Sequence, residues 1–213
     1  MSKLGGHVLV ADHHPITREG LSLAVRGVLP DAIVVLAGSV AAAIAQIEIR
    51  TTFRMILLDL QLPDARGYAG LLALQFRAPA TPIVVVSARE EPSLVEAAKA
   101  LGAAGFLFKS LALDAIAAEL RQVSEGGASF PAGVAPSPVI DAARARIGEL
   151  SPAQHAVLMA LADGRSNKEI ARDLDVTEAT VKAHLTAIFR KMGVANRAQA
   201  LLAIQPLIAS TGT

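Results

Sequence analysis

The chain has 213 residues, enough for one large domain or two small ones, and 53% are hydrophobic against 18% charged, which excludes wholesale disorder. The absence of Cys rules out disulfides and thiolate metal sites and suits a reducing cytoplasm. A net charge of +1 gives no global sign of a polyanionic partner, although from Asp141 onward nine Lys and Arg face seven Asp and Glu, a slight basic bias.

From Lys3 the sequence runs straight into a short apolar strand, without the pattern of a secretory leader. The uncharged run between Asp31 and Glu48 is interrupted by Gly38-Ser39 and falls short of the roughly 18 to 20 residues of a membrane span. The expectation is a cytoplasmic protein with no membrane partner. Short apolar runs rich in β-branched residues predict strands at His7–Ala11, Ala32–Ala37, Met55–Asp59, Pro82–Ser87 and Gly105–Phe108. Helix-sized stretches rich in Ala and Leu separate them. This alternation predicts an α/β domain over residues 1–126, a doubly wound, five-stranded parallel sheet with helices on both faces. Ligands of such sheets sit beyond the carboxyl ends of the strands, where Asp12, Asp59, Ser87 and Lys109 fall.

Gly126-Gly127, Pro131, Gly133, Pro136 and Pro138 mark a linker over 127–147, with a short helical stretch expected around Ala142–Ile147. From Leu150 no strand pattern appears, and 148–213 is predicted as a small all-α domain of four helices. Ser151 with Gln154 and Ser166 with Glu169 have capping-box spacing, and Pro152 suits a first helical position. Asp175-Val176-Thr177 makes a short turn in which Thr177 can cap the next helix. In that helix Val181, Leu185, Ile188 and Met192 form a buried stripe, opposite Lys182, Ala183, Thr186 and Arg190. The final helix, about Arg197 to Leu207, carries Ala198, Leu201, Leu202 and Ile204. It is a candidate surface for a homodimer or for packing within its own domain.

Four segments resemble the receiver domains of two-component response regulators: Val8-Leu9-Val10-Ala11-Asp12-His13-His14-Pro15, Leu57 to Asp64 with Gly67 beyond, Val84-Val85-Val86-Ser87-Ala88, and Gly105 to Ser110. The resemblance implies a flavodoxin-like fold with Asp59 as phosphoacceptor for a partner histidine kinase. It further implies Asp12 as a metal-side carboxylate, Lys109 as phosphate partner, Ser87 as switch hydroxyl and Phe106 as switch aromatic. A carboxylate can attack a phosphoryl group when a divalent cation neutralises the crowded charge. Mg²⁺ takes oxygen donors, here Asp12, Asp59 and the carbonyl of Gln61. The family has a second acid where this chain has His13, and imidazole is a poor Mg²⁺ ligand. Either Asp12 alone keeps a weakened Mg²⁺ site, or the receiver works without phosphate.

From Leu150 to Arg197 the chain resembles the LuxR-type, or NarL/FixJ-type, helix-turn-helix domain. The resemblance rests on Leu150-Ser151-Pro152, Leu161 to Gly164, Ser166 to Ala171, Leu174 to Thr177, Thr180 to Leu185 and Lys191 to Arg197. It implies a double-stranded DNA partner, with Lys182, Ala183 and Thr186 at base edges and Lys168, Thr177, Thr180, Arg190 and Lys191 at phosphates. His184 borders the buried stripe and is expected to pack. The family's Arg-Glu pair opening the first helix is here Ala153-Gln154, so a contact from that pair is expected to be missing. An enzymatic, phosphatase-like use of Asp12, Asp59 and Lys109 would leave the helical module without a role. The expected function is a DNA-binding regulator, not an enzyme.

Overall fold

The structure, a computed structural model, describes residues 6–50, 52–65, 67–132 and 145–208, without the side chains at 202 and 205–208. The chain begins β1 (His7–Ala11), α1 (Pro15–Val28), β2 (Ile33–Ala37), α2 (Val40–Glu48), β3 (Phe53–Asp59), α3 (Ala69–Arg77), β4 (Ile83–Ser87), α4 (Pro92–Ala100), β5 (Gly105–Phe108) and α5 (Leu113–Ser124). The strands form one sheet in the order β2-β1-β3-β4-β5, and every pairing is parallel. Successive side chains of a strand point to opposite faces, so an unbroken apolar run serves two cores. Val8, Val10, Met55, Leu57, Val84, Val86 and Leu107 pack with Leu21 and Val25 of α1 and Ile116 and Leu120 of α5. Leu9, Ala11, Ile56, Leu58, Val85 and Phe106 face the other way, toward α2, α3 and α4.

Three strand starts differ from the sequence reading, β2 by a single residue at Ile33 rather than Ala32. β3 starts at Phe53 rather than Met55, because Arg54, which breaks the apolar run, turns out to pair with Asp31 (3.0 Å). β4 starts at Ile83, since Pro82 has no N–H; its carbonyl accepts from Ile56 (3.0 Å). Beyond α5 the chain returns to the free edge of β5. Phe106 N–H donates to the Ser129 carbonyl (2.8 Å) and Ser129 N–H to that of Ala104 (3.1 Å). This approach needs glycine at 105, where a Cβ would lie 2.7 Å from the Ser129 carbonyl oxygen. The first residues of the expected linker therefore continue the sheet. Positions 133–144 lie outside the described residues, and 145–147 form a helical turn.

The second part comprises α6 (Pro152–Ala162), α7 (Asn167–Asp173), α8 (Glu178–Met192) and α9 (Arg197–Ile208). Both expected capping boxes are formed, by Ser151 with Gln154 and Ser166 with Glu169. Thr177 caps α8, its hydroxyl accepting from Thr180 N–H (3.1 Å), and Gly193 ends that helix at φ 66°, where only glycine is free of strain. Val181, Leu185, Ile188 and Met192 are the buried stripe of α8.

The two parts meet where α3 lies along α6. Leu72 and Leu101 from the sheet domain and Ile147, His155, Leu158, Met159 and Ile204 from the helical one line a small apolar cavity between them. His155 donates from Nε2 to the Ile147 carbonyl (2.6 Å), and burial lowers its pKa below the ordinary 6.5. The unfolded chain therefore binds more protons than the folded one between 6.5 and the lower folded-state value. The stability this ring contributes is complete above 6.5 and is lost as the pH falls below it. Thermal unfolding followed from about pH 7 down to about pH 5.5 is expected to show that loss. His155→Gln, which keeps a donor but cannot titrate, is expected to flatten it.

Candidate functional site

Strand register assembles the first site. Ala11 lies opposite Leu58, so Asp12 and Asp59 emerge side by side at the carboxyl end of the sheet. Ser87 lies opposite Phe108, and Lys109 N–H donates to the Ser87 carbonyl (2.8 Å), which aims the lysine along the same edge. Its Nζ lies 2.6 Å from Asp12 Oδ2 and 3.0 Å from Asp59 Oδ2. The carboxylates are 0% and 2% exposed, and buried charges persist only when paired and hydrogen-bonded. His14 N–H supplies one such bond to Asp12 Oδ1 (2.7 Å) and Gln61 N–H another to Asp59 Oδ1 (3.1 Å). Arg18 donates to the Asp12 carbonyl (2.6 Å) and holds the loop from below. Ser87 is buried, and its hydroxyl accepts from Arg89 N–H (3.0 Å). Phe106 is buried beneath the pocket, edge-on to Phe108.

His13 stands over this pair. Its Nδ1 lies 3.0 Å from Asp59 Oδ2 and 4.0 Å from Asp12 Oδ1, and His14 Nδ1 lies 3.3 Å from Asp12 Oδ1. One ligand atom from each of Asp12, His13, His14 and Asp59 falls within a 4.8 Å cluster. An acidic and imidazole cluster is thus present where the sequence reading placed Mg²⁺. As a fit to that ion it is partial, because two carboxylates remain but the third acidic position presents nitrogen to a cation that prefers oxygen.

Two residues beside the pocket escaped the sequence reading. Asp64 accepts from Val40 and Ala41 N–H (both 2.8 Å), tying the loop after Asp59 to the start of α2, where an anion is favoured. Tyr68, the only tyrosine of the chain, is buried with its hydroxyl donating to the Leu94 carbonyl of α4 (2.5 Å). Burial pushes its phenol pKa far up. Its signal was only its type, since a lone buried phenol needs an acceptor.

The second site is the open face of α8. Lys182, Ala183, Thr186 and Arg190 are exposed, His184 is half-buried, and Thr186 donates its hydroxyl to the Lys182 carbonyl (3.0 Å). Lys168, in the first turn of α7, and Thr177 are exposed, and Thr180 is half-buried. Lys191, expected at a phosphate, has partners within the protein. Its ammonium donates to the Glu149 carbonyl (2.6 Å) and to Gln154 Oε1 (3.0 Å). Gln154 thereby both closes its capping box and ties α6 to α8. Arg197, to which the sequence reading gave no role, caps α6 by donating to the carbonyls of Leu161 (3.0 Å) and Arg165 (3.1 Å). In α9, Ala198 is exposed, Leu201 half-buried and Ile204 buried. Leu202 lies outside the described side chains.

Residues 8–121 match the response regulator receiver domain, and residues 148–204 the LuxR family of bacterial regulatory proteins. The chain is similar to the glycerol metabolism activator of Pseudomonas putida, 33% identical over 92% of this chain and 93% of that one. It is similar to the nitrate/nitrite response regulator NarL of Escherichia coli strain K12, 31% identical over 91% and 92%. RcsB of Salmonella enterica serovar Typhimurium, solved on promoter DNA in the presence of phosphomimetic BeF3⁻, shares the fold with a TM-score of 0.55 and 24% identity over 97% of this chain and 100% of that one. RcsB is also described as two dimers bound to two parallel DNAs. The sheet order, the converging carboxylates and the capped helix pair agree with both matches. The chain belongs to the response regulators of the NarL family, DNA-binding transcription factors rather than enzymes, with a receiver domain joined to a LuxR-type helix-turn-helix.

Proposed function

We propose that this regulator reads duplex DNA with α8 and is controlled by phosphoryl transfer to Asp59 from a partner histidine kinase. The observation that carries the DNA reading is the open face of α8. Lys182, Ala183 and Thr186 stand exposed on a helix whose opposite stripe is buried and whose two ends are capped. A helix so held can enter the major groove as a rigid body. Lys182 meets guanine acceptors, while Ala183 and the Thr186 methyl meet thymine methyls. Lys168, Thr177, Thr180 and Arg190 take phosphates, with Lys191 doing so only if it leaves Glu149 and Gln154. One short helix gives little affinity, so the regulator acts as a homodimer on two half-sites. The exposed side of α9 near Ala198 is the candidate contact, since Ile204 is spent on internal packing.

In the receiver, an Asp59 oxygen forms the bond to phosphorus as the bond to the kinase imidazole breaks. Lys109 is placed to pair with the new phosphoryl oxygens, and Ser87 and Phe106 to report it, by a turned hydroxyl and a shifted ring. Mg²⁺, held weakly by Asp12, Asp59 and the Gln61 carbonyl, would supply charge neutralisation. A second reading, regulation without phosphate, is favoured by one contact: His13 already donates to Asp59 Oδ2 at 3.0 Å, occupying the oxygen that Lys109 also holds.

One measurement separates these readings, and a second tests the DNA readout they share. Intact mass spectrometry after incubation with acetyl phosphate and Mg²⁺ is expected to show one phosphoryl adduct on the wild type and none on Asp59→Asn. A wild type without adduct supports the phosphate-free reading instead. Lys182→Ala is expected to weaken binding to the cognate site by about 1–3 kcal/mol while leaving non-specific binding nearly unchanged. Gel-shift titrations with cognate and scrambled duplexes check it, and an unaltered cognate affinity removes Lys182 from base readout.

A further inference from the structure

We propose that Asp12, His13, His14 and Asp59 form a site for a late first-row divalent cation, Zn²⁺ or Ni²⁺, in preference to Mg²⁺. The proposal stands on the geometry of the pocket and does not depend on whether Asp59 is phosphorylated.

The donor set is two imidazoles and two carboxylates. Imidazole nitrogen suits the later first-row ions, whereas all-oxygen sets suit Mg²⁺. Spacing agrees with type. Bonds of roughly 2.0–2.1 Å to zinc put neighbouring ligand atoms of a tetrahedron roughly 3.3 Å apart. The recorded separations are 3.0 Å for His13 Nδ1 to Asp59 Oδ2, 3.3 Å for His14 Nδ1 to Asp12 Oδ1 and 4.0 Å for His13 Nδ1 to Asp12 Oδ1. All four ligand atoms lie within 4.8 Å of one another, so small side-chain rotations close the set. A second observation points the same way. Asp12 Oδ2 is buried without a hydrogen bond, and it faces the Lys109 ammonium at 2.6 Å only as an ion pair. The Gln61 N–H orients Asp59 through its other oxygen, Oδ1, and the His14 N–H fixes Asp12 at Oδ1 itself, the outer-shell support that metal sites require. An entry route exists, because the side chains of His13 and His14 are 34% and 55% exposed. On binding, His13 moves its ring proton from Nδ1 to Nε2 and gives the freed lone pair to the ion. Lys109 swings away from the carboxylates, and so competes with the cation.

Isothermal titration of the untagged full chain with ZnCl2, NiCl2 and MgCl2 tests this without any phosphodonor, so its failure is distinct from failure of phosphoryl transfer. One Zn²⁺ or Ni²⁺ per chain is expected to bind at least about 100-fold more tightly than Mg²⁺. His13→Asp, which restores oxygen, is expected to reduce that preference at least about ten-fold. Lys109→Ala is expected to tighten Zn²⁺. Circular dichroism establishes that each variant folds, with His14→Gln as the substitute should His13→Asp not. Mg²⁺ binding as tightly as Zn²⁺ overturns the proposal. So does Zn²⁺ binding that survives unchanged in a folded His13→Gln, His14→Gln double variant, because it would belong to His7, His155 or His184.

Discussion

Two buried carboxylates sharing one ammonium are the constraint on which the receiver half depends. Removing a carboxylate from water is costly unless an opposite charge and hydrogen bonds replace the solvent. Asp12 and Asp59 can be buried because parallel pairing in the order β2-β1-β3-β4-β5 delivers Lys109 to within 3.0 Å of both. A shift of one residue in the β1–β3 pairing would turn the acids to opposite faces of the sheet. The apolar strands exclude that slip, since the same shift would scramble the two cores that Val8 and Leu9 serve separately. The unbroken hydrophobicity of the strands and the chemistry at their ends are therefore one requirement.

The helical half solves the converse problem. Its reading surface must stay hydrated and polar, so the helix carrying it is fixed from behind and from its ends. Four residues of α8 are buried, Thr177 closes the start, Gly193 turns the chain at the finish, and Lys191 ties the last turn to α6. An N-cap such as Thr177 is worth about 1 kcal/mol, and a buried apolar side chain about 1.5–3 kcal/mol. Their value here is directional. They stop α8 from rotating about its axis, which would exchange Lys182 and Ala183 for buried neighbours.

Much of this was legible in the sequence because it depends on local signals. Strand runs, capping boxes and the stripe of α8 are patterns within about one element's length, and the structure has them in the expected places. The acid pocket was legible for another reason: the topology forces strand ends together whatever the loops do. Contacts set by long-range packing were not legible. Asp64 closed the receiver-like loop without a role of its own, yet it binds the start of a helix 23 residues earlier. Ser129 read as linker, yet it extends a sheet. Lys191 read as a phosphate contact, and the fold also ties it to a carbonyl 42 residues away. In each case the residue type announced a need for partners, and only the fold named them.

The meeting of α3 with α6 has a consequence for how the halves communicate. The loop that leaves Asp59 is pinned by Asp64 to α2 and by Tyr68 to α4 before it enters α3. α3 buries Leu72 against the other domain, beside Leu158 and Met159 of α6, and α6 in turn packs on α8. Packed side chains therefore run without a break from the acid pocket to the back of the reading helix. Continuity alone does not make a switch, because a close-packed interior transmits a displacement only where an element has two stable positions. The α3–α6 seam is where such an element fits. It is apolar, contains a small cavity, and lies within one core cluster that runs through both halves. The open face of α8 lies on the far side of the stripe that holds it. Under the proposed phosphoryl transfer, a charge change at Asp59 would bear on how α6 is seated against the receiver, since Lys182 is already exposed.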